Sequence, residues 1–168
     1  MAARLFPFAR AIVDFKVTDT WDPAGTDHRK DEWIGGVYYD YDATDGYLVY
    51  RCVKNTSSAT IGSGLMVTTE AGETNIDHVI IGAATQHRPR VRGVTVSSIA
   101  VGHCGFVICK GKATAKNTTG SVIAANAAIK TVANGLIDDA VIGTDAIIGS
   151  NFAEIADGAS GKVYLDVL

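Results

Sequence analysis

At 168 residues the chain has the length of one domain with a real hydrophobic core, and its formal charge of −3 offers no general attraction to nucleic acid, whose binding needs a basic surface. No apolar run approaches the roughly 20 residues of a membrane span. The opening Met1-Ala2-Ala3-Arg4-Leu5-Phe6 lacks the apolar segment of a secretory signal, so a soluble product made in the cytosol is expected, without a membrane partner.

Valine and isoleucine number 32 against 6 leucines, and 16 threonines bring the β-branched residues to 48. Such side chains suit a pleated, half-buried surface and lose rotamer freedom in helices, so an all-β fold is expected, a small β-barrel or β-sandwich. Residues 1–32 read differently. Phe6-Pro7-Phe8 is followed by a polar run from Thr18 through Trp21-Asp22-Pro23 to Glu32 with no sustained period, the pattern of an extended N-terminal arm preceding a single β domain at 33–168. Between Asp14 and Asp45 stand 9 acidic and 3 basic residues, which leaves the remainder of the chain net positive.

Strand signals begin after Trp33. Gly35-Gly36-Val37-Tyr38-Tyr39 and Tyr47-Leu48-Val49-Tyr50-Arg51-Cys52-Val53 flank Asp45-Gly46, a hairpin cue. Further strands are expected at Ile61–Thr68, Val79–Ala83, Val91–Ser97 and Gly105–Lys110. The spacing of their turns is that of a sandwich or small barrel. Between Val122 and Leu136 the apolar residues fall at three and four, a helical period, but the β-branched content with Asn126 and Asn134 favours strand and loop.

The later strands contain a repeat. Gly93, Ile99, Ala100, Gly102, Gly105 and Val107 recur 56 residues on as Gly149, Ile155, Ala156, Gly158, Gly161 and Val163. Looser echoes join Asn55-Thr56-Ser57 to Asn117-Thr118-Thr119, and Val79–Gly82 to Ala140–Gly143, which implies two pseudo-repeats, 55–110 and 117–168, differing by an insertion of about five residues. Glycine and small apolar residues encode turns and core positions, so the repeat points to a scaffold.

Four constellations bear on chemistry. Asp40–Gly46 alternates carboxylates as a calcium loop does, but its third acid and its glycine fall one position late and Arg51 stands where the loop needs glutamate, so a hairpin turn is expected. His103 beside Cys104 points to the opposite face of an extended strand and is badly placed to activate it; Cys52, Cys104 and Cys109 read as buried small apolar residues. No catalytic residue, cofactor or metal site is expected. Arg88, Arg90 and Arg92 alternate, so that in a strand their guanidinium groups share one face while Pro89 marks an edge. That row either guards the edge or receives an acidic segment from a neighbouring subunit. In the arm and at its boundary, Phe6, Phe8, Trp21 and Trp33 have the aromatic character of interface anchors rather than of a disordered tail, and Asp22 stands beside Trp21.

The run Trp33–Met66 and the later Gly105–Ala113, Val141-Ile142-Gly143 and Gly161–Val167 resemble the glycine-punctuated strands of capsid decoration (cement) proteins of tailed bacteriophages. The resemblance implies a β-rich structural virion protein, commonly a homotrimer, that binds the outside of the capsid and stabilises it by bridging major capsid protein subunits. It carries no catalytic signature. The arm and the arginine row lie outside the pattern, so Phe6, Phe8, Trp21, Asp22, Arg88, Arg90 and Arg92 are expected partner contacts on local grounds alone, and Trp33, at the start of the resembling run, is expected as one for its aromatic character. Two further readings remain: a tail, neck or head-fibre component, and a carbohydrate-binding module using Tyr38, Tyr39, Tyr41 and Tyr47 as a platform.

Overall fold

A computed structural model describes residues 16–25, 33–82, 90–118 and 120–167. The chain is all-β. β1 (Val37–Asp42) and β2 (Gly46–Asn55) form the expected hairpin, pairing from Val37 with Arg51 to Asp42 with Gly46. The turn sits at residues 43–45, just before the Asp45-Gly46 step that the sequence marks. The cause is Asp42, whose Oδ1 accepts the N–H groups of Thr44 and Asp45 at 2.7 and 2.9 Å and so closes the loop early.

The strands that follow are β3 (Met66–Thr69), β4 (His78–Ile81), β5 (Val91–Thr95) and the 13-residue β6 (Cys104–Lys116). β2 pairs in parallel with β4, β4 with β3, β3 with β5 and β5 with β6, and β6 returns to β2 in antiparallel register. These pairings close a five-stranded ring. β5 therefore lies between two partners, and the expectation of an edge strand behind the arginine row is corrected.

The remaining strands are β7 (Ala128–Thr131), β8 (Ile137–Asp139), β9 (Gly149–Asn151) and β10 (Ser160–Asp166). β6 pairs with β10, β10 with β9, β9 with β7 and β7 with β8. A parallel bridge from Ile137 to Asn117, the residue after β6, joins the last strand to the first. A second ring results, and β6 serves both. The segment with the ambiguous period, 122–136, is a bridge at Ile123, then β7 and a short 3-10 turn at Ala133–Gly135.

The pairings of one ring recur in the other. Lys54 opposite Cys104 has its counterpart in Lys116 opposite Ser160, and the bridge between Ile61 and Ile99 in that between Ile123 and Ile155. The Thr56 N–H donates to Val79 O at 2.9 Å, as the Thr118 N–H does to Ile137 O at 2.9 Å. Val79 thus matches Ile137, and the echo of Val79–Gly82 in Ala140–Gly143 is corrected by three residues. Apolar resemblance misled there because the second connection is shorter: equivalents lie 62 residues apart at Asn55 and Asn117, 58 at Val79 and Ile137, and 56 from Gly93 and Gly149 onward.

Inside the first ring Val53, Ile61, Val67, Val79, Ile99 and Val107 form a buried cluster. Their equivalents Ala115, Ile123, Ile129, Ile137, Ile155 and Val163 are buried in the second. The volume lost where Ala115 replaces the Val53 type is regained where isoleucines stand at 129 and 137 in place of valines. Across these six positions the side-chain carbons lost and gained balance, the kind of volume-conserving exchange that close-packed cores tolerate best. Of the repeated glycines, Gly102 and Gly158 sit at positive φ, 75° and 64°, and the other two pairs answer to crowding. A Cβ at Gly93 would strike the Ile108 carbonyl and one at Gly149 the equivalent Tyr164 carbonyl, while Gly105 and Gly161 lie flat against Ile99 and Ile155. At each ring, a buried asparagine holds the turn after its first strand. Asn55 Nδ2 donates to Ala59 O and Ile99 O, both at 2.9 Å, and Asn117 Nδ2 to Ser121 O and Ile155 O at 2.8 and 3.2 Å.

Candidate partner-binding surfaces

Strand alternation gives each ring an outward set of side chains as well as an inward one. Leu48, Tyr50, Cys52, Cys104 and Phe106 project outward from the first ring and are buried, because residues 16–25, Trp33 and Tyr38 cover them. Trp21 anchors this cover. Its N–H donates to Cys104 O at 3.1 Å, the Cys104 N–H donates back to Trp21 O at 2.8 Å, and Ser97 Oγ donates to Thr18 O at 2.8 Å. The indole lies 5.9 Å from the Trp33 ring and 5.6 Å from Phe106, and only 2% of the residue is exposed.

Trp21, expected as a partner anchor, is therefore consumed within its own chain, with Trp33 half-buried beside it. Asp22 is exposed, its Oδ1 accepting the Ala24 N–H at 2.9 Å in a local turn. Phe6, Phe8 and Arg88 lie outside the described residues. Arg90 is exposed just before β5, whereas Arg92 is half-buried and its Nε donates to Thr69 Oγ1 at 2.8 Å. Burial lowers the Arg92 pKa, an effect that nearby Asp77 opposes. Asp77 itself accepts from Arg51 at 3.0 Å. The two described arginines thus occupy different settings and form no single exposed row.

Three aromatic residues of the hairpin face solvent. Tyr39, Tyr41 and Tyr47 are exposed, with the Tyr41 and Tyr47 rings in edge contact at 5.0 Å, while Tyr38 is buried against Phe106 at 5.2 Å. Burial pushes the hydroxyls of Tyr38 and Tyr50 up to about 12. A tyrosine platform is thus three residues wide and excludes Tyr38.

The His103 ring nitrogen Nδ1 lies 3.0 Å from Val101 O. Cys52, Cys104 and Cys109 are buried free thiols, and burial raises that of Cys109 to about 11. Among the described residues no group of three or more His, Cys, Asp or Glu side chains is placed to hold a metal ion. None of the described helices is long and apolar enough to cross a membrane.

A surface absent from the sequence expectations lies outside the second ring. There β6 presents Lys110, Lys112, Thr114 and Lys116, and β10 presents Ser160, Lys162, Tyr164 and Asp166, with Phe152 alongside. Lys112 Nζ stands 5.5 Å from the centre of the Phe152 ring, which meets Tyr164 edge-on at 6.5 Å. Lys162 Nζ reaches Asp45 at 2.7 Å and Lys112 Nζ reaches Thr44 O at 3.2 Å, so the acidic hairpin turn is held at one end of this basic face. The signal was present: lysines at 110, 112 and 116 share a period of two.

No protein-family model matches the chain, and no curated protein sequence does. Among solved structures it is similar to the head fibre gp8.5 N base of bacteriophage phi29, with a TM-score of 0.51 and 13% identity, over 70% of this chain and 95% of that one. At that identity the likeness shows a shared fold.

Proposed function

We propose that the chain is a structural protein of a bacteriophage particle, seated on the outside of the head and bound to the major capsid protein, with itself as a second partner in a homotrimer. The observation that carries this reading is the fold shared with the phi29 head-fibre base over nearly the whole of that chain. The resemblance of the glycine-punctuated strands to decoration proteins points the same way from different residues.

Two rings sharing one strand make a stiff platform, as a capsid-bound part requires. As a decoration protein it stabilises the shell by binding assembled lattice in preference to separated subunits, which adds its binding free energy to the shell. As the base of a head fibre it uses the same attachment to carry a projecting part, and the phi29 likeness favours this second form.

Electron microscopy of particles made with and without the protein tests the proposal. Density for it is expected on the outer surface of the head, and heads lacking it are expected to open at lower temperature if bridging is its role. Absence from the head surface overturns both forms. Density without any change in head stability leaves the fibre base and removes the bridging role.

A further inference from the structure

Trp21 is gripped by Cys104 through backbone groups that point away from the ring. Ser160 is the equivalent of Cys104, 56 residues on and opposite Lys116 as Cys104 is opposite Lys54. Lys54 sends its N–H away from its pair to Asp77 O at 3.0 Å, and Lys116 likewise to Gly64 O at 3.0 Å. In an antiparallel ladder both members of such a pair turn their hydrogen-bonding groups outward. The N–H and C=O of Ser160 therefore aim away from β6, as those of Cys104 do. Among the described residues no segment lies across Ser160 as Trp21 lies across Cys104, and Ser160 is exposed.

The side chains around the two positions differ in kind. Where Phe106 and Ile108 follow Cys104 at alternate positions, Lys162 and Tyr164 follow Ser160, with Lys116 opposite Ser160 and Phe152 against the Tyr164 ring. Phe152 is 47% exposed and Tyr164 41%. Lys116 favours a carboxylate, Lys162 keeps its Nζ on Asp45 at 2.7 Å and offers its apolar stem, the aromatic rings accept another ring by edge contact, and the backbone pair calls for an extended strand.

We propose that Ser160, with Phe152, Tyr164, Lys116 and Lys162, is a strand-addition site for an extended acidic segment of a partner protein, carrying an aromatic residue seated as Trp21 is on Cys104. The inference rests on the chain's internal correspondence and stands apart from the virion reading.

A peptide of residues 16–25, which carries Trp21 between Asp19 and Asp22, is the probe, titrated into the isotope-labelled full chain and followed by NMR. Saturable shifts are expected at Ser160, Phe152, Lys162 and Tyr164. Ser160→Pro removes the outward N–H and leaves the β6 ladder intact, and is expected to weaken binding about tenfold, the worth of one strand hydrogen bond. Lys116→Glu, at an exposed position, is expected to weaken it as well and covers the case in which the proline variant fails to fold. A peptide with alanine in place of the tryptophan is expected to lose saturation. Absence of shifts at Ser160, shifts confined to Cys104 through exchange of the chain's own segment, or unchanged binding by both folded variants overturns the proposal.

Discussion

The two rings have matching interiors and opposite exteriors. Val53, Ile61, Val67, Val79, Ile99 and Val107 find buried equivalents one by one in the second ring, whereas outward Leu48, Tyr50, Cys52 and Phe106 correspond to Lys110, Lys112, Thr114 and Lys162. The interior is constrained by volume and backbone crowding, which are the same in both rings. The exterior is constrained only by what covers it. In the first ring the cover is the chain itself, through Trp21, Trp33 and Tyr38. The second presents charge to solvent, and the difference separates what holds the fold from what is left for partners.

The sharpest way to break the correspondence is at the crowded glycines. Alanine at Gly149 must displace the Tyr164 carbonyl, and alanine at Gly93 that of Ile108. Each is expected to cost about 3 kcal/mol or more, and thermal denaturation should show both transitions several degrees lower. Matched losses confirm equivalent roles; a tolerated alanine at one site separates the rings.

A core exchange comes next. Val53→Ala alone is expected to cost about 2 kcal/mol by leaving a cavity. Val53→Ala combined with Val67→Ile and Val79→Ile rebuilds the second ring's set inside the first, and should return to within about 1.5 kcal/mol of the parent in urea denaturation. Failure of the triple variant to recover would mean that the two backbones, not only their side chains, differ.

The buried asparagines should behave as a pair. Asn55→Ala and Asn117→Ala each remove a buried amide that ties two carbonyls of the turn together, although Ile99 O and Ile155 O keep the N–H groups of Ile61 and Ile123, and each is expected to cost about 2 kcal/mol by the same measurement.

The smallest effect at ordinary pH concerns the covered exterior. Tyr38 and Tyr50 are raised from 10.0 to about 12 by burial, with negative charge near Tyr50 adding to the shift. Their folded pKa lies above the unfolded value, so their contribution is full below pH 10 and is lost as pH rises from there toward 12. A spectrophotometric phenolate titration with a parallel stability curve should show late ionisation and loss of stability in that same window. Replacing both with phenylalanine should reduce the window's pH dependence to the share of the buried Cys109 thiol, raised from 9.0 to about 11.

Much of this architecture was legible in the chain. The excess of valine, isoleucine and threonine marks strands, and the spacing shared by Gly93–Val107 and Gly149–Val163 marks two backbones crowded in the same way. Asn55 and Asn117 stood out as the start of each copy because a buried amide that bonds two carbonyls has few substitutes. The match of Val79 with Ile137 was hidden, since one apolar strand resembles another and the connections differ in length.

Composition and local period determined the strand content, the hairpin and the repeated glycines, since these follow from short-range sterics and patterning. Ring closure, the double duty of β6, the enclosure of Trp21 and the interior place of β5 were decided by tertiary structure. Each depends on which distant strand satisfies a backbone edge. The partner candidates moved for that reason: an aromatic residue in a polar segment reads as free until the fold supplies Cys104 to bind it, and lysines alternating along one strand become a surface only when β10 is laid beside them.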